Sequence, residues 1–171
     1  NNSQCLDLKN KLIQFNIPCN IQNKQNIFDT EASNLLILFM DCLLNPRIYK
    51  KINLFAASKF IELDLEELVD NRISNKLEIL ISKCITWSQE LKEKGFLTIV
   101  NELIINYKSS SIINDPELNS NLFHLSEIIE IELINNDFNF NKVFKWYQNQ
   151  LDRSLRICTG EDYVTKNYNL K

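Results

Sequence analysis

Residues 75–94 read NKLEILISKCITWSQELKEK, and Gly95 follows them. Within this stretch Leu77, Leu80, Ile81, Cys84, Trp87 or Ser88, and Leu91 recur at intervals of three and four, while Glu78, Glu90 and Glu93 lie off the stripe. That is the period of an α-helix with one buried face, sustained for about five turns. Gly95 stands where such a helix needs a residue that can leave the helical conformation.

The same period extends in both directions. Downstream, Phe96, Leu97, Ile99, Val100, Leu103 and Ile104 mark a second amphipathic helix. Ser109 to Ser111 and Asn114-Asp115-Pro116 read as a loop, with helices beyond it from Ser120 to Ile134 and from Asn141 to Leu151. Upstream, Asp29 and Thr30 are N-cap candidates for an apolar helix over 31–44, which Asn45-Pro46 ends. A helix follows from Arg47 to Ala57, and Asp64 with Glu67 resembles a capping box for a short helix from Leu65 to Val69. The first helix runs from Gln4 to Phe15 and is ended by Pro18. Two segments read as extended: Ile17 to Gln22, and Leu155 to Val164, where helical period fades ahead of Gly160. The expected fold is mainly α, an irregular bundle of about six to eight helices with short extended pieces near both termini.

At 171 residues with 44% hydrophobic and 24% charged, the chain has enough apolar mass for one core. It has only two glycines, Gly95 and Gly160. Walker A loops and dinucleotide fingerprints need glycines a few residues apart, so neither is present. A net charge of −3 disfavours a protein that coats nucleic acid by bulk electrostatics. The charge is uneven, however: residues 1–60 and 141–171 each sum to +3, and residues 61–140 to −9. The basic ends are therefore better placed than the middle to meet phosphates. The 24 asparagines are dispersed among periodic apolar residues, as codon bias would scatter them, and form no tract.

The five cysteines, Cys5, Cys19, Cys42, Cys84 and Cys158, form no CxxC pair and no even framework. Cys42 and Cys84 read as small core residues, which suits a reducing cytoplasm. The longest apolar run, Leu35 to Leu44, is about ten residues, half of what a membrane span needs.

No catalytic set is legible. His124 is the single histidine, so two-histidine metal and acid/base schemes have no residues to use. On a helix it neighbours Glu127, three positions on, which points to a structural hydrogen bond or ion pair. Glu62, Asp64, Glu66, Glu67 and Asp70 form an acidic stretch without the glycine-centred EF-hand pattern, and capping explains Asp64 and Glu67 without a metal. Lys142, Lys145, Trp146, Tyr147, Arg153 and Arg156 interleave cations with aromatics, as a single-strand platform does. A short helix with aromatic anchors and a wet cationic face has the same pattern.

Several segments, in order, resemble the RecB family of superfamily 1 helicase-nucleases, the β subunits of exodeoxyribonuclease V. Phe15-Asn16-Ile17-Pro18 followed by Asn26-Ile27-Phe28-Asp29-Thr30-Glu31-Ala32 is similar to the family's apolar-Pro strand leading into a Val-Phe-x-Thr-x-Glu-Ala helix start. Leu43-Leu44-Asn45-Pro46 and Leu54-Phe55-Ala56-Ala57-Ser58 resemble the next helix end and the following helix. Trp87, Gly95 and Phe96-Leu97 match a Trp-to-Gly spacing of the family. The most specific stretch is Asn121-Leu122-Phe123-His124-Leu125-Ser126-Glu127-Ile128-Ile129, which is similar to Asn-Leu-x-His-Leu-x-Glu-Leu-Leu, with Lys145-Trp146-Tyr147 at an apolar-Trp-Leu helix beyond it.

The resemblance implies that residues 1–28 are the tail of motor domain 2A, residues 29–154 a helical 2B-like insertion, and residues 155–171 a return toward domain 2A. Leu155 to Val164 resembles the approach to a Thr-x-His-x-x-Lys-Gly-Leu-Glu motif, and Thr165 to Lys171 ends the chain without it. The family's ATP-binding loop, Asp-Glu motif and nuclease carboxylates have no matching positions. The resemblance thus implies no catalytic residue and no cofactor in this chain, with ATP and Mg²⁺ belonging to the parent protein. Its implied partners are the parent motor, RecC-like and RecD-like subunits, and DNA through that complex, with no membrane. An insertion leaves and re-enters its parent sheet at neighbouring points, so Ile17 to Gln22 and Leu155 to Val164 are expected side by side. Two other readings fit the composition: a self-contained helical module that binds a protein partner, and an accessory domain that binds DNA through its basic ends.

Overall fold

A computed structural model describes residues 26–63 and 74–159, together with residues 11, 12, 14 and 15. In chain order its helices are α1 Glu31–Leu44, α2 Tyr49–Ala56, α3 Ser74–Lys94, α4 Phe96–Tyr107, α5 Ser110–Ile113, α6 Pro116–Asn135 and α7 Phe140–Thr159, preceded by a 3₁₀ turn at Ile27–Asp29. The protein is mainly helical, and no strand occurs among the described residues.

α1 is apolar on most of its circumference, so it has to be covered from several sides. It buries Ala32, Ser33, Leu35, Leu36, Phe39, Met40, Cys42 and Leu43 and packs against α2, α3, α6 and α7. Phe39 marks the centre of the bundle. Its ring stacks on Phe55 of α2 at 5.4 Å, meets Trp87 of α3 edge-on at 5.8 Å, and lies 6.1 Å from both Phe60 and Phe96. Leu77, Leu80, Cys84, Trp87 and Leu91 of α3 are buried together, so Trp87 and not Ser88 continues the stripe. Such a cluster adds edge and stacking attractions to the burial of large apolar area.

Local chemistry sets the element boundaries. Asn45 closes α1 through its backbone N–H on the Asp41 carbonyl, and Pro46 begins the turn to α2. Gly95, at φ +82° and ψ 154°, is the residue between α3 and α4. Glu130 of α6 accepts a 2.9 Å bond from the Leu97 N–H, satisfying one of the first amides of α4 from another helix. Asn139 accepts from the Lys142 N–H at 3.1 Å and opens α7.

Several expectations change. α6 starts at Pro116, not Ser120: Asp115 accepts from the Leu118 N–H at 3.0 Å with Pro116 in the first turn, so Asp-Pro is a helix start and not a loop. Ser110–Ile113 is a helical turn and not a loop, because Ser109 accepts from the Ile112 N–H. α7 continues to Thr159, so residues 155–159 are helical and not extended. The buried stripe of α7 passes through Val143 and Tyr147 and then the buried Ser154, whose polarity hides the period in the sequence. Thr30 occupies the N-cap of α1, but its hydroxyl donates to the Ile27 carbonyl at 2.7 Å and caps no helical amide. The extended segment at 17–22, the short helix at 65–69, most of the first helix and residues 160–164 lie outside the described residues. So does the expected meeting of the two extended segments.

Candidate functional site

Residues singled out from distant parts of the sequence meet in space. Phe28, in the 3₁₀ turn, packs edge-on against Trp146 at 6.1 Å and Tyr147 at 5.5 Å, both on α7. Tyr147 is fully buried and donates its hydroxyl to the Ser33 carbonyl at 3.2 Å. This joins α7 to the first turn of α1.

Thr30 and Glu31 share a cleft of about 240 Å³ with Asn121, at the point where the N-termini of α1 and α6 converge. Asp29, Asp115 and Glu117 also line it. Four carboxylates at two helix starts complement the positive ends of the helix dipoles. Asp115 is engaged as a cap, and Glu31 pairs with Lys59 at 2.7 Å. Among the described residues no group of three or more His, Cys, Asp and Glu is placed to hold a metal ion. No cation lines the cleft either, so an anion entering it would meet carboxylates.

Trp87 is buried and donates its indole N–H to Glu102 at 3.2 Å. Lys94 bridges Glu90 and Glu102, each at 2.9 Å, tying the end of α3 to α4 just ahead of Gly95. Hydrogen bonds from Lys94 and then from Trp87 hold the Glu102 carboxyl below its ordinary value.

In the Asn121 to Ile129 stretch, Leu122, Leu125, Ser126 and Ile129 face the core of the bundle. His124 and Glu127 are exposed. The expected bond between them is not formed. Both point into solvent, where side-chain freedom outweighs a weak contact on the helix surface.

Among the described residues Glu62 joins no group placed to hold a metal ion. Its carboxylate accepts from the Ser111 N–H at 3.0 Å and the Ser110 hydroxyl at 3.2 Å. The Ser109 hydroxyl shares its one proton between Glu62 and the Lys59 carbonyl. Bonds from Ser111, then from Ser109 and Ser110, lower the Glu62 carboxyl to about 2. Asp64, Glu66, Glu67 and Asp70 lie outside the described residues. The sequence signal for this clamp was the serine triplet itself, which reads as a loop until a distant carboxylate reaches it.

Cys42 and Cys84 are buried. Burial pushes the Cys84 thiol up to about 12 and the Cys42 thiol higher still, so neither is a thiolate at neutral pH. A second cavity of about 290 Å³, between Ile61, Leu63, Ile79, Leu80, Tyr107 and the stem of Lys76, is largely apolar. Lys142, Lys145 and Arg153 are exposed on α7, beside the half-buried Trp146, and Arg156 falls within the same helix. No described helix is long and apolar enough to cross a membrane. Comparison of the chain with protein-family models and with curated proteins gives no match.

Proposed function

We propose that this chain is a non-catalytic helical part of a RecB-like ATP-dependent DNA helicase and nuclease, acting in double-strand break repair and recombination in the cytoplasm. The observation that carries the reading is the meeting of its motif segments. Phe28 packs on Trp146, Thr30 and Glu31 face Asn121 across one cleft, and Gly95 sits against Glu130 on the helix that holds His124 and Leu125. Residues that resemble a family pattern and also contact one another have a common task, which here is to build a bundle. In that role the bundle braces the motor and meets RecC-like and RecD-like subunits, while ATP and Mg²⁺ are bound by motor elements elsewhere in the parent protein.

The decisive test is the sequence flanking these residues in the parent gene. A Walker A loop upstream and a Thr-x-His-x-x-Lys-Gly-Leu-Glu stretch downstream are expected, and the absence of both overturns the proposal. The purified chain is expected to show neither ATPase nor nuclease activity, since phosphoryl transfer needs groups that hold phosphate, Mg²⁺ and the attacking water. A self-contained protein-docking module is the second reading, favoured by the exposed Ile48, Tyr49 and Leu54 on and beside α2. It predicts unrelated flanking sequence.

A further inference from the structure

Among the described residues, one face of α7 is exposed and borders the packed Trp146. At 3.6 residues per turn, Trp146, Arg153, Lys142, Asn149 and Lys145 fall within one arc of roughly 100° around the helix axis, with Trp146 at the edge that borders Val143 and Tyr147 and the polar residues turned further from them. Lys142, Lys145, Asn149 and Arg153 are exposed and Trp146 is half-buried. The one acid on the helix, Asp152, lies at the margin of the arc.

Three cations elsewhere on the molecule are held by carboxylates, Lys51 by Asp41, Lys59 by Glu31, and Lys94 by Glu90 and Glu102, whereas Lys50, Lys92 and Lys108 stand in single, scattered positions. Among the described residues no ion pair engages Lys142, Lys145 or Arg153. From Lys142 to Arg153 the helix rises roughly 16 Å, with Trp146 between the two ends. The indole is held edge-on against Phe28 at 84°, so it is ordered before any ligand arrives. A ring fixed in advance loses little side-chain entropy on contact.

We propose that this face of α7 is a binding surface for single-stranded nucleic acid, with backbone phosphates on Lys142, Lys145 and Arg153 and a base against the open part of Trp146. Charge complementarity selects a polyanion. The aromatic ring among the cations selects one that carries exposed π faces, because stacking strengthens contact with unpaired bases and adds nothing for an acidic peptide. A duplex hides those faces in its own stack. The net charge of −3 works against the bound strand, so affinity is local and sensitive to salt. The inference rests on α7 alone and not on the helicase reading, whose own test is the flanking gene sequence.

The test is fluorescence anisotropy of a labelled oligothymidylate titrated with the full chain over a salt series. Binding is expected at low salt, with log K falling against log salt at a slope of about −2, as three single-strand phosphate contacts require. Tryptophan emission is expected to be quenched on binding, through Trp146 and not the buried Trp87. The triple variant Lys142→Glu, Lys145→Glu and Arg153→Glu alters only exposed side chains, so its thermal melt should match the wild type while affinity drops at least about tenfold. Should the triple variant melt early, the single Lys145→Glu variant reads the same effect at smaller size. No binding by the wild type at low salt overturns the proposal, as does equal binding by the charge-reversed chains. Polyglutamate competing as well as the oligonucleotide overturns it in favour of an acidic protein partner.

Discussion

Gly95 combines φ +82° with an extended ψ, a region that L residues rarely adopt. A Cβ added there would also come within 2.5 Å of a Glu130 carboxyl oxygen, the group that satisfies the Leu97 N–H. Gly95→Ala is therefore expected to destabilise by about 1–3 kcal/mol from backbone strain, read as a lower thermal midpoint by circular dichroism. Its role as a stop for the preceding helix was legible, because a glycine after a periodic run has few other uses. Its contact with Glu130, thirty-five positions away, was not. Glu62 makes the same point through titration. Its carboxyl sits near 2, below the ordinary value of 4.5, so the clamp on Ser109, Ser110 and Ser111 is fully present above about 4.5 and fades as pH falls toward 2. The stability gap between wild type and Glu62→Gln, followed by chemical denaturation across that range, is expected to shrink as pH falls. A gap that stays constant with pH would show that the clamp contributes nothing through charge. The carboxylate is exposed, so salt should narrow the gap as well.

Helix ends obey chemistry more than hydrophobic period. α6 begins at Asp115-Pro116 because an aspartate can accept the Leu118 N–H and a proline has no amide to leave unsatisfied. Asp115→Ala is expected to cost about 1 kcal/mol. Thr30→Ala at the corresponding position of α1 should cost less through capping, since that hydroxyl bonds the preceding 3₁₀ turn and not α1. A pair of thermal melts separates the two: equal losses would mean that position alone decides a cap. The length of α7 was illegible for a different reason. Ser154 is buried on the same stripe as Val143 and Tyr147, and a hydrophobicity pattern counts a serine as surface. The wet arc on the other side of α7 follows from the same register. Amphipathic period thus located the cations of α7, and only the packing of Tyr147 on Ser33 decided which way they face.

Across the whole molecule, stability converges on α1 and on Phe39 within it. Four helices pack against α1, and the Phe39 ring meets aromatics from α2, α3, α4 and the turn after α2. Phe39→Ala is expected to be among the most damaging single changes, at about 3–5 kcal/mol, because the surrounding rings come from different elements and cannot all collapse into the space. Denaturant unfolding would measure it, and a loss near 1 kcal/mol would place the centre of the core elsewhere. The helical class, the span of α3, the start of α4 and the lack of a Walker A or dinucleotide glycine pattern were legible in the sequence alone, because local period, end chemistry and glycine placement act within a few residues. Tertiary structure decided which motif residues touch, that His124 and Glu127 stay apart in solvent, and that Glu62 seats on serines nearly fifty positions away. Those outcomes depend on how the helices pack around α1, and sequence spacing carries no record of contacts between separate elements.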